Sequence, residues 1–105
     1  MNTRTPIVWI TMTENNKDFS DARNYGELRV VFPRSIQEHD NDPVGVARRE
    51  MREYQDGDFI LTSGDPMACG IVMETAMGLS DSQVLNVLRW DRRTLRYVPF
   101  ELNFT

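Results

Sequence analysis

The stretch from residue 58 to 79, DFILTSGDPMACGIVMETAMGL, leaves few folds open to this chain. Phe59-Ile60-Leu61 is a continuous apolar run bounded by Gly57 and Gly64, the pattern of a strand covered on both faces. Asp65 then offers an acceptor to the free N–H groups of a following helix, and Pro66 suits the first helical position, where no donor is needed. From Met67 to Leu79 the apolar residues are too many for a narrow stripe, so the helix is predicted to be deeply buried or to lie partly in an interface. Gly70 and Gly78 each cost about 1 kcal/mol relative to Ala in a helix interior. Close packing on a sheet would offset the first, and the second marks the helix end. A strand that turns directly into such a helix is half of a βαβ unit, and it directs the chain toward an α/β fold.

The other elements follow in order. Pro6 introduces Ile7-Val8-Trp9-Ile10-Thr11, a buried first strand, and residues 11–18 are polar enough to form a loop. Ser20 is expected to cap a brief helix in which Ala22 and Tyr25 share a face, with Gly26 in the left-handed position at its end. Leu28, Val30 and Phe32 alternate along a second strand that Pro33 stops, and residues 34–41, with the single histidine His39, read as a surface loop. Asp42-Pro43 repeats the Asp-Pro start, and Val44, Ala47, Met51 and Tyr54 then fall on one helical face, leaving Arg48, Arg49, Glu50, Arg52 and Glu53 for solvent. Asp56-Gly57 turns the chain into the central unit.

Beyond the apolar helix, residues 84–90 read as a strand, 91–94 as a turn and 95–104 as a hairpin partner. In that last strand Val98, Phe100, Leu102 and Phe104 mark the buried side, and Pro99, without a donor, places the strand at a sheet edge. The order β, short α, β, α, β, α, β, β gives a single α/β domain over residues 1–105. Its mostly parallel sheet has about five strands and a C-terminal antiparallel hairpin. The alternative is a two-layer α+β arrangement with both main helices on one face.

Composition limits function more than it assigns it. With 105 residues the chain forms one core without covalent staples, and Cys69, the only cysteine, is expected to be a buried inert thiol. The net charge of −4 argues against general nucleic-acid binding. Glu38, Asp40, Asp42, Glu50, Glu53, Asp56 and Asp58 make one region acidic, whereas Arg89, Arg92, Arg93 and Arg96 make the hairpin basic. No apolar run reaches the roughly 20 residues of a membrane span, and the first six residues lack a signal-peptide core, so a soluble, cytoplasmic protein is expected.

Two places offer candidate sites. If the first and third strands are parallel neighbours, the loops leaving their carboxyl ends meet, and Thr11, Thr13, Asn15, Ser63, Gly64 and Asp65 line a polar crevice suited to a small anion or nucleotide. Asp65 places a negative charge there, and neither a P-loop lysine nor a G-x-G-x-x-G is present. The second is the hairpin surface of Arg89, Trp90, Arg92, Arg93, Arg96 and Tyr97, where arginine beside aromatic rings suits a protein interface or stacked bases. Ser63 is not in G-x-S-x-G and His39 is remote in sequence, so no catalytic set is assigned. Metal ligation by His39, Asp40 and Asp42, or by Asp56, Asp58 and Asp65, conflicts with the capping role of Asp42 and with the opposite strand ends of the second set.

Three separated motifs carry a resemblance. Thr62-Ser63-Gly64-Asp65-Pro66 between a strand and an apolar helix, Tyr25-Gly26-Glu27 before an apolar strand, and Leu88-Arg89-Trp90-Asp91 followed by Tyr97 resemble small proteins encoded by tailed bacteriophages. The resemblance implies a phage origin and a place in the cytoplasm of an infected cell; it brings no activity and no site residues. The expectation is a non-enzymatic accessory protein that binds a host or phage protein, or itself as a homodimer, without a cofactor. A nucleotide- or anion-binding module or enzyme at the crevice, and an acidic nucleic-acid mimic, are the alternatives.

Overall fold

In a computed structural model describing residues 4–105, β1 (Ile7–Met12) is buried along its whole length because it has a strand on either side. β2 (Glu27–Phe32) and β3 (Phe59–Leu61) both run parallel to it. β4 (Val84–Asp91) pairs parallel with β3, and β5 (Arg96–Asn103) closes the sheet antiparallel to β4. The spatial order is β2-β1-β3-β4-β5. This is the mostly parallel sheet with a terminal hairpin that the order of elements implies.

α1 (Pro43–Glu50) and α2 (Pro66–Leu79) touch each other and cover the same face of the sheet. Ala47 of α1, Met51 just after it, and Ala68, Val72 and Ala76 of α2 pack there on Ile7, Trp9, Val31, Ile60, Leu85 and Val87. The opposite face is covered by a short 3-10 segment, Ser20–Asn24, whose Ala22 joins Val8, Ile10, Leu61, Leu88 and Tyr97. The chain passes from β1 to β2 under this segment and returns past β1 to β3 under α1. Direction and face reverse together, which keeps one hand for both crossovers.

Both Asp-Pro starts are helix caps: the Asp42 carboxylate accepts from Gly45 N–H at 3.0 Å, and Asp65 accepts from Met67 N–H at 2.9 Å. Other local expectations need correction. Ser20 opens the 3-10 segment without a side-chain cap. Gly26 is not left-handed; a Cβ there would lie 2.2 Å from the Pro6 carbonyl oxygen, so it is the close approach of β2 to β1 that requires glycine. Gly70 does not pack on the sheet, and like Gly78 it has open space where a Cβ would stand. α2 is less buried than its composition suggests, because only Ala68, Val72, Thr75 and Ala76 turn fully inward and Met67 is 51 % exposed.

In β5 the expected buried side is largely open: Phe100 is 44 % exposed and Phe104 is exposed as well, while Tyr97, from the other side, is buried. The physical reason is reach. α2 packs over β1 and β4, and the element packed on β5 is the 3-10 segment on the opposite face.

One buried carboxylate ties the amino-terminal ends of β1 and β3 together. Asp58, only 2 % exposed, accepts from both terminal nitrogens of Arg4 at 2.9 and 2.7 Å and from Ile7 N–H and the Trp9 indole, each at 3.0 Å. Gln55 N–H adds a fifth donor at 3.2 Å. The carboxylate holds the Arg4 guanidinium pKa above its ordinary value, chiefly through these hydrogen bonds.

Candidate functional site

The strand order places a topological switch between β1 and β3, where successive connections leave to opposite faces and the loops at the carboxyl ends of the two strands meet. Thr11 and Ser63 meet there. The Thr11 hydroxyl donates to the Ser63 carbonyl at 2.5 Å and accepts from Ser63 N–H at 2.7 Å, so both of its capacities are used within the fold. Cys69 is half-buried beside them, its Sγ 3.6 Å from Thr11 Oγ1, rather than sealed in the core as expected.

Above this pair the turn presents two donors to one oxygen. Ser63 Oγ donates to Glu14 Oε1 at 2.9 Å and Gly64 N–H donates to the same atom at 2.7 Å. Those bonds, Ser63 first, together with Lys17 at 3.7 Å, hold the Glu14 carboxyl below the usual glutamate range. Gly64 reaches this geometry at φ 84°, and a Cβ would stand 2.8 Å from the Met12 side chain, so glycine is required on both counts. The crevice therefore has the donors for an anionic oxygen, and the chain's own Glu14 occupies them.

The remaining crevice residues do not converge on it. Thr13 turns to the end of β2, donating to the Pro33 carbonyl, Asn15 is exposed, and Asp65 is engaged in capping α2. Glu14 is the residue that sequence reasoning missed. Its only signal is position, two residues beyond the last residue of β1.

The hairpin builds a second, larger feature. Asp91 fixes the turn by accepting from Arg93 N–H at 2.9 Å, while its carbonyl accepts from Leu95 N–H at 2.8 Å with Leu95 at φ 55°. Arg89 lies over the Phe100 ring at 5.4 Å, and Trp90 meets Tyr97 edge to face with ring centroids 4.9 Å apart. Lys17, from the loop after β1, closes one side. Together Lys17, Arg89, Arg92 and Arg93, with Trp90, Val98, Phe100 and the single acid Asp91, line a groove of about 640 Å³.

Of the six hairpin residues named from sequence, Arg89, Trp90, Arg92 and Arg93 are brought into this groove. Arg96 is exposed outside it, and Tyr97 is buried beneath, 3 % exposed, where burial first and nearby acids second raise its pKa. Its hydroxyl is a buried polar group without a partner among the described residues. Lys17 and Phe100 were not singled out from sequence, Lys17 because it reaches the groove only through the fold.

The other polar clusters are committed locally. Asp40 accepts from Arg34 and from Gln37 N–H, which holds its carboxyl below the ordinary aspartate range. Asp56 accepts from Ser80 Oγ at 2.7 Å and Ser82 N–H at 2.9 Å, pinning the end of α2. Among the described residues no three His, Cys, Asp or Glu side chains gather as metal ligands, and no helix is long and apolar enough to cross a membrane.

Compared with known proteins, residues 9–104 match a family model described as Phage Pam3 gp32-like protein. No curated protein and no solved structure matches.

Proposed function

This chain belongs to the phage Pam3 gp32-like family, and we propose that it is a non-enzymatic accessory protein that binds a host or phage protein through the hairpin groove. The observation that carries this reading is a concentration of positive charge on an otherwise acidic chain. Four cations, Lys17, Arg89, Arg92 and Arg93, surround exposed rings of Trp90 and Phe100. Tryptophan and arginine are the residues on which binding energy concentrates at protein interfaces. Arg89 is already held over Phe100, so less side-chain freedom is lost when a partner docks. The fitting partner presents carboxylates around an apolar anchor.

The anion-binding reading of the crevice is weakened by Glu14, which an incoming anion must displace from Ser63 and Gly64. The nucleic-acid mimic is weakened by internal engagement of its acids. Asp40 pairs with Arg34, Glu53 with Arg29 and Asp58 with Arg4, while Asp42 and Asp56 cap backbone N–H groups.

Capture of the tagged chain's partners from phage-infected cells tests the proposal. The wild type is expected to retain a stoichiometric protein that elutes as salt is raised. Trp90→Ala combined with Arg93→Ala should release it, whereas Arg48→Ala, on α1, should not. Equal retention by the double variant overturns the assignment.

A further inference from the structure

The two edges of the sheet differ in how they treat their unpaired backbone groups. At β5 the outward groups of Tyr97 are both occupied: its N–H donates to Asp21 at 2.8 Å and its carbonyl accepts from the Tyr25 hydroxyl at 3.0 Å. Two residues on, Pro99 has no donor to offer. The 3-10 segment and one proline thus obstruct the amino-terminal half of this edge against strand addition. At β2, Glu27 N–H bonds toward β1 through the Pro6 carbonyl, so alternation turns the backbone groups of Leu28 and Val30 outward. Among the described residues nothing bonds to them, and no proline interrupts the strand.

We propose that the β2 edge is a self-association surface, on which a second copy of this chain adds its own β2 antiparallel to form one continuous sheet. Charge identifies the occupant. Glu27 and Arg29 lie two residues apart on the same side of β2 as an ion pair at 2.8 Å, and Arg29 is held in place by Glu53 at 3.0 Å and by the Trp9 ring at 5.7 Å. Pairing Leu28 with Leu28 of the second copy puts Glu27 opposite Arg29 of that copy, and Arg29 opposite its Glu27. The pattern is complementary to itself under a two-fold axis normal to the sheet. In that register Val30 bonds to Gly26 of the second copy, and the N–H and carbonyl of Gly26 have no partner among the described residues.

Sedimentation velocity on the full chain provides the test. The wild type is expected to sediment at twice the 12.2 kDa chain mass, and hydrogen exchange at the Leu28 and Val30 amides is expected to slow as dimer forms while Tyr97 stays unchanged. Glu27→Arg and Arg29→Glu each place like charges across the axis, so each variant alone should lose the dimer. Mixed one to one they should restore it, because every opposing pair is again of opposite sign. A monomeric wild type, freely exchanging Leu28 and Val30 amides in the dimer, or a dimer abolished by Trp90→Ala would overturn the proposal. So would two single variants that dimerise as tightly as the wild type.

Discussion

Replacing Asp58 by alanine tests what holds β1 against β3. The carboxylate accepts five hydrogen bonds, and two of its donors, Ile7 N–H and the Trp9 indole, lie in the buried first strand. Removing it leaves those two groups without an acceptor, at about 1–3 kcal/mol for each buried unpaired donor. Arg4 loses its partner too, but it is partly exposed and turns to water at small cost. The two penalties together put the expected loss at about 2–6 kcal/mol. That is a large share of the roughly 5–15 kcal/mol that stabilises a domain. At about 1–2 kcal/mol/M for a small protein in urea, the unfolding midpoint should fall by about 1 M or more. Arg4→Ala is the control and should cost only about 1–2 kcal/mol, since the three neutral donors continue to solvate the carboxylate. An Asp58→Ala midpoint within about 0.5 M of wild type refutes the reasoning. So does an Arg4→Ala loss as large as that of Asp58→Ala, which would assign the effect to the charge pair rather than to the orphaned donors.

Burial pushes the Tyr54 phenol up to about 12 from an ordinary 10.0, with Asp56 and Asp58 adding to the shift. The folded state therefore keeps this proton where the unfolded chain gives it up; the contribution is fully present below pH 10.0 and is lost as pH rises toward 12. Tyr54→Phe should flatten that alkaline slope in denaturant titrations, and an unchanged slope would refute the assignment. Glu14 should titrate by NMR below an ordinary glutamate, so its link to the turn is complete above the ordinary range and lost as pH falls through the depressed value. Ser63→Ala should move the midpoint upward, and an unmoved midpoint would deny the hydrogen bond its role. Gly64→Ala should destabilise by about 1–3 kcal/mol because of its positive φ and the Met12 contact, whereas Gly70→Ala should stabilise by up to about 1 kcal/mol, with both read from thermal unfolding.

What sequence made legible was whatever depends on near neighbours. Asp42-Pro43 and Asp65-Pro66 announce their helices because cap and first turn are consecutive in the chain. The apolar run of β3 and the proline of β5 fix burial and edge position for similar local reasons. Tertiary placement escaped the reading. Gly26 looked like a helix terminator, yet its reason for being glycine is a carbonyl twenty residues earlier, at Pro6. The alternation of Val98, Phe100 and Leu102 signalled burial, but burial of a strand face depends on which helix reaches it. In the crevice, the meeting of Thr11 with Ser63 followed from strand adjacency, whereas Glu14 as its occupant depends on how a polar loop folds back. Lys17 joined the hairpin groove by the same route.

The position of β1 also sets an order of events during synthesis. β1, which has a strand on either side, is made before both of them, and its second neighbour, β3, ends only at Leu61. A nascent chain stopped before that point has Val8, Trp9 and Ile10 without the strand, and without the Asp58 carboxylate, that completes their surroundings. The 3-10 segment, β2, α1 and β3 must all follow β1 out of the ribosome before that strand is enclosed, so it stays open to aggregation over a long stretch of synthesis.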